Sequence, residues 1–289
     1  MCDIQFERST RALMQRPGIA PALTVAISQE SNNQPDRTTM ASTGSKWRLD
    51  RPAEGFDAAV PPLALETAPM FRTFLPECYE PRYAYPLLVM FHAHGGNEDQ
   101  VLDLVPRMSR RNFVALSLRG PELMGVREDG HLACGWGTDD RHVDTVNDYI
   151  IKAVESVRRV CNIHTERIFL VGVCEGAAAA YRAAFAMGDR VAGVVSLNGG
   201  IPKVPPGDAP FDFAALKPMR FLIGHGIANA VVPCSVARQD YKQLYAAGAD
   251  VRLRTYATTH RLHQDMLNDV NRWVIGALNA DTDRMSQVR

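Results

Sequence analysis

From Thr67 onward, apolar runs of strand length alternate with helical patterns, and this constrains the fold more than any other feature of the 289-residue chain. The runs are MFRTFL, PLLVMFH, FVALSL, RIFLVGV, VAGVVSLN, MRFLIGHG and VRLRTY. A strand that is apolar on both of its faces must be covered on both, which predicts an α/β fold with a mostly parallel sheet and helices on each side. Between the third and fourth runs, Val143, Val146, Ile150, Ala153, Val157 and Val160 recur every three to four residues and predict an amphipathic helix. The C-terminal stretch repeats the pattern with Met266, Val270, Trp273, Val274 and Ala277.

Residues 1–65 differ. SQESNNQPDRTTMASTGSKW is polar and aperiodic, so an N-terminal arm is expected there, with PALTVAIS (21–28) as a lone strand or a segment packed on the main domain. The expected division is an arm over 1–65, an α/β domain over 66–280 and a tail over 281–289. With 46% hydrophobic residues, the chain can bury a large core as one domain.

Thirty-two basic residues balance 32 acidic ones, which argues against nucleic acid and anionic membranes and for a small, uncharged partner. The six cysteines form no CxxC pairs and several sit in apolar runs, so reduced thiols and a cytoplasmic setting are expected. Nothing reads as a signal peptide or a membrane span.

The chemistry concentrates in FLVGVCEGAAAA (169–180). Cys174 stands between Gly172 and Gly176 at an expected strand-to-helix turn, where a Cβ at either glycine would collide with neighbouring backbone. Such a tip is expected to project into solvent. The helix behind it favours an anion there, which favours thiolate, and Ala177 to Ala180 let that helix lie close on the sheet. The alternative is a buried structural cysteine. Two further signals follow in chain order: FLIGHGIANAVVP (221–233), and a loop carrying His260 before the last helix. Upstream, His92-Ala93-His94-Gly95-Gly96 follows an early strand.

Together these motifs resemble the α/β-hydrolase superfamily, in particular its phospholipase/carboxylesterase and dienelactone-hydrolase groups, over roughly residues 67–280. The resemblance implies an α/β-hydrolase fold, Cys174 as nucleophile, His260 as general base, and an oxyanion hole made by the backbone N–H groups of His94 and Glu175. Where the family places Asp in H-G-x-x-D-x-V-V-P, this chain has Asn229. A serine needs a carboxylate beside its histidine, and changing that Asp to Asn costs a serine protease about 10⁴ in turnover. A cysteine can exist as thiolate beside imidazolium, so an amide oxygen that orients the ring is sufficient. Papain-like proteases use the same trio on another fold. Two alternatives stand: an inactive site, or Asp208 or Asp212 as the third member.

Among other residues, His263 competes with His260 as base, and His225 is expected to buttress its turn. Trp136 and SLRGPELMG (117–125) resemble cleft-lining loops of carboxylesterases, or are ordinary surface. Glu175 is a possible substrate-side or supporting partner of the nucleophile, or simply an acid favoured at a helix start. His92 and His94 alternate along an extended stretch and face opposite ways, so neither a metal nor any other cofactor is expected. The function implied is hydrolysis of carboxylic ester, thioester or lactone bonds in a small-molecule acyl substrate. Acyl transfer from a thioester donor to an amine or alcohol, and non-catalytic binding on the same scaffold, are the alternatives.

Overall fold

The computed structural model describes residues 23–26, 70–137, 140–203, 211, 213 and 219–287. Its ten strands and six helices run β1 Leu23–Ala26, β2 Met70–Phe74, β3 Tyr85–Phe91, α1 Glu98–Leu102, α2 Val105–Met108, β4 Val114–Leu118, β5 Glu122–Val126, β6 Leu132–Gly135, α3 Asp140–Val160, β7 Ile163–Val173, α4 Glu175–Met187, β8 Gly193–Leu197, β9 Arg220–Gly226, α5 Cys234–Ala246, β10 Asp250–Tyr256 and α6 Gln264–Gln287. Eight strands form one sheet in the order β1-β2-β4-β3-β7-β8-β9-β10. The pairs β1–β2 and β2–β4 are antiparallel; every other neighbouring pair is parallel.

Every residue of β3, β4 and β8 is buried, as the unbroken apolar runs require. Their side chains alternate between two cores. Leu87, Val89, Phe91, Leu116 and Leu170 pack with Ile150, Ala153, Val157, Ala180 and Tyr181 of α3 and α4. On the opposite face, Leu88, Met90, Ala115, Val171 and Leu222 pack with Val101, Val105, Met108, Met266, Val270 and Val274. All five residues read as the apolar face of the last helix are buried, with Met266, Val270 and Val274 contributing about 1.5–3 kcal/mol each.

Several local expectations change. Val160 closes the predicted face of α3 yet is 60% exposed, because the chain leaves the helix there for β7. The stretch after β4 is not an irregular loop but the β5–β6 hairpin, a separate two-stranded sheet. Helix α6 continues to Gln287, through most of the segment assigned to a tail. Within 21–28, Leu23–Ala26 pairs with β2 at the sheet margin. The polar stretch of the expected arm lies outside the described residues.

Candidate active site

The C-terminal end of β7 turns directly into α4 at Cys174, whose φ of 53° and ψ of −116° lie in a region that L-residues seldom occupy. The flanking glycines make the turn possible. A Cβ on Gly172 would stand 2.3 Å from the Gly176 carbonyl oxygen, and one on Gly176 would stand 2.4 Å from the carbonyl oxygens of Phe91 and His92. The Cys174 N–H donates to Leu197 O (2.9 Å), and Ala177 N–H donates to Cys174 O (3.1 Å). One expectation is corrected: the side chain does not project into open solvent, because Cys174 is only 7% exposed. The loop after β8 packs on the backbone of this turn, so tightly that a Cβ on Gly199 would stand 2.3 Å from Cys174 O.

Asn229 and His260 meet. His260 Nδ1 lies 3.0 Å from Asn229 Oδ1, which also accepts the N–H groups of Val231 and Val232 at 3.0 Å each. Two backbone donors identify that atom as the amide oxygen, so His260 Nδ1 carries the proton and Nε2 carries the lone pair. Their loops are also joined, by Ile227 N–H to Tyr256 O (2.9 Å) and Ala228 N–H to Thr258 O (3.1 Å). His225 buttresses this turn: its Nε2 donates to Val232 O at 2.8 Å, and burial lowers its pKa, which keeps it neutral. His263 instead accepts Asp265 N–H at 3.2 Å where α6 begins, in an exposed position. Asp208 and Asp212 lie outside the described residues.

Asn198 was not anticipated. It is wholly buried at a φ of 54°, its Nδ2 donates to His260 O (3.0 Å) and Arg261 O (3.3 Å), and its Oδ1 accepts Gly226 N–H (2.9 Å). Asn198 thus joins the end of β8 to both the Asn229 loop and the His260 loop. An Asn-Gly pair ending a strand is a recognisable signal for a left-handed turn, although not for those partners.

The loop after β3 is held through His92. Its Nε2 accepts Gly120 N–H (2.8 Å), so its Nδ1 carries the proton and donates to Ala93 O (2.8 Å). Burial pushes its pKa down to about 4 and keeps it neutral. Ala93 O also accepts Gly96 N–H (2.9 Å), and with its carbonyl so held, the planar trans peptide aims the His94 N–H the opposite way. Asn97 caps α1 by accepting the N–H groups of Asp99 and Gln100. Fully buried Glu98 is paired with Arg119, whose Nε lies 2.8 Å from the carboxylate. The His94 side chain is exposed, and its Nδ1 lies 3.0 Å from Glu175 Oε2.

Trp136 borders a small cavity with Gly137, Val146, Asn147, Ala179 and Arg182, but nearly all of its side chain is enclosed. At 2% exposure it sits in the core against Phe91 and His92, with its indole N–H donating to His92 O at 2.9 Å. Its bulk and single donor suit a buried buttress, and its link to the site runs through the His92 backbone. Among the described residues, no three His, Cys, Asp or Glu side chains group as a metal would require, and no helix is long and apolar enough to cross a membrane.

A strained Gly-flanked turn, an amide–imidazole pair and a glycine loop, all at the C-terminal ends of the parallel strands, define the α/β-hydrolase fold. The chain belongs to the phospholipase/carboxylesterase family, whose model matches residues 82–275. It is similar to the carboxylesterase of Bacillus cereus, with a TM-score of 0.56 and 18% identity over 72% of this chain and 94% of that one. The carboxylesterase of Mesorhizobium loti gives a TM-score of 0.55 and 17% identity over 72% and 95%. No curated protein matches.

Proposed function

We propose that this carboxylesterase-like hydrolase is cysteine-dependent and cleaves carboxylic ester, thioester or lactone bonds through an acyl-cysteine intermediate. The observation that carries the reading is the 3.0 Å contact between His260 Nδ1 and Asn229 Oδ1, which presents Nε2 as the basic nitrogen. Cys174 acts as thiolate beside a His260 imidazolium, with the N-terminal amides of α4 favouring the negative charge. The sulfur attacks the acyl carbon, and the carbonyl electrons move onto oxygen, where the N–H groups of His94 and Glu175 receive them. As the tetrahedral species collapses, the bond to the leaving group breaks and His260 Nε2–H protonates that group. A water molecule then gives a proton to Nε2 while attacking the thioester. The carboxylic acid departs and the thiolate–imidazolium pair is restored. No cofactor takes part. No disulfide joins any of the five described cysteines, which suits a reducing compartment such as the cytoplasm.

A double-mutant cycle on kcat/KM tests the trio. Cys174→Ser should be nearly inactive, since a hydroxyl then faces a base that lacks a carboxylate partner. Asn229→Asp alone should change turnover modestly. The replaced amide nitrogen lies 3.4 Å from His225 Nε2, so a carboxylate oxygen there would meet the same N–H. Combined, the two changes should recover part of the serine variant's loss, with a coupling of about 1–3 kcal/mol. Strict additivity would remove Asn229 from the trio. Amide product formed from an added amine, in place of free acid, would redirect the reading to acyl transfer.

A further inference from the structure

We infer that the side chains of His94 and Glu175 form a positioning pair that holds the two oxyanion donors in register; this rests on the reading above that their N–H groups bind the oxyanion. The donors belong to separate elements, the loop after β3 and the first residue of α4. His94 is anchored by the doubly held Ala93 carbonyl, and Glu175 by the elbow, whose Gly176 packs on the Phe91 and His92 carbonyls at the end of β3. Two such donors converge on one oxygen only if the distance between their elements is fixed, because hydrogen bonds weaken steeply with misalignment.

The 3.0 Å contact between His94 Nδ1 and Glu175 Oε2 spans that gap, and it joins the very residues whose amides must converge. Neither element can shift without straining it. Both side chains are partly exposed, at 43% and 21%, so the pair adds little to global stability and its effect falls on local geometry. The hairpin lies alongside: a Cβ on Gly135 would be in ordinary contact with Glu175 Oε2, at 3.7 Å. His94 also offsets a charge problem, since a bare carboxylate beside a developing oxyanion would repel it.

Two thiol reagents separate this role from a structural one. An aryl trifluoromethyl ketone adds to the thiolate and generates an oxyanion, whereas iodoacetamide alkylates sulfur by displacing iodide and generates none. In the full chain, His94→Leu and Glu175→Leu should each weaken ketone affinity and lower kcat on an activated aryl ester by about tenfold, part of the loss expected for deleting a whole donor. KM and the alkylation rate of Cys174 should stay near wild type. The double variant should be no worse than either single, and Glu175→Gln, which keeps an acceptor, should retain most of the ketone affinity. His94→Gln serves if the leucine variants fail to fold, and should show the same selective loss. Unchanged ketone affinity, or a parallel loss of alkylation, overturns the positioning role while leaving the nucleophile in place. A wild-type protein whose Cys174 neither alkylates nor binds the ketone overturns the catalytic reading, and the pair with it.

Discussion

Burial pushes the Cys134 thiol up to about 11 and raises that of Cys161 as well, so both are poor nucleophiles near neutral pH. Cys78 is exposed but precedes no helix. Cys234 also begins a thirteen-residue helix and Cys78 also sits at positive φ, but Cys174 alone among the described cysteines combines a strained turn with a helix start. Iodoacetamide at neutral pH is therefore expected to label Cys174 ahead of the other cysteines despite its partial cover. Peptide mass mapping that finds Cys134 or Cys161 modified first would count against a nucleophilic Cys174. At this scale much of the site was readable, because a Gly-x-Cys-x-Gly turn is a short-range steric statement and Asn229 keeps its place in a recognisable segment. The burial of Cys174 was not readable, since it depends on packing with segments beyond other strands, the Gly199 turn against its carbonyl among them. Nor was the pairing of His94 with Glu175, 81 residues apart. Nor was the near-complete enclosure of Trp136, because bulk and polarity do not reveal which face of a loop packs inward.

Fully buried parallel strands leave apolar runs that sequence alone displays, and α6 buries every residue its periodicity selected. The β5–β6 hairpin left no such trace: most of β5 faces outward and the register shifts between Leu123 and Gly125, so there is neither an apolar run nor a clean alternation. Connections between elements are still harder to foresee, and Asn198 is the clearest instance. Asn198→Ala should cost about 2–4 kcal/mol, from an unpaired buried Gly226 N–H and a Cβ-bearing residue without local hydrogen bonds at positive φ. Asn198→Gly keeps the backbone freedom, so it should be milder in urea unfolding while still lowering kcat, because the His260 loop loses the same ties. Equal stability losses in both would assign the effect to the hydrogen bonds alone. An unchanged kcat in Asn198→Gly would show that those ties do not position His260.

Across the whole molecule, two buried groups titrate in one pH window with opposite signs. Burial lowers His92 to about 4, so its contribution is present above its ordinary value of 6.5 and is lost as pH falls through about 4. Asp240, which accepts Ile201 N–H at 2.9 Å, is raised by burial to about 6, so its contribution is present below 3.8 and is lost as pH rises through about 6. Each shift corresponds to about 3 kcal/mol. Asp240→Asn, which keeps an acceptor for Ile201, should raise the melting temperature above pH 6 and leave it unchanged below pH 4. The variant should then lose stability more steeply on acidification than wild type, with His92 no longer opposed. Matching pH profiles of melting temperature for the two proteins would show that Asp240 bears no such load. The sheet itself spreads risk unevenly. Cys174 leaves β7, which has strands on both sides, whereas His260 follows β10, the margin of the sheet, with a neighbour on one side only and most residues open to water. Fraying of that border would separate His260 from Cys174 while the interior stayed folded, so hydrolytic activity should fade on heating before the core melts.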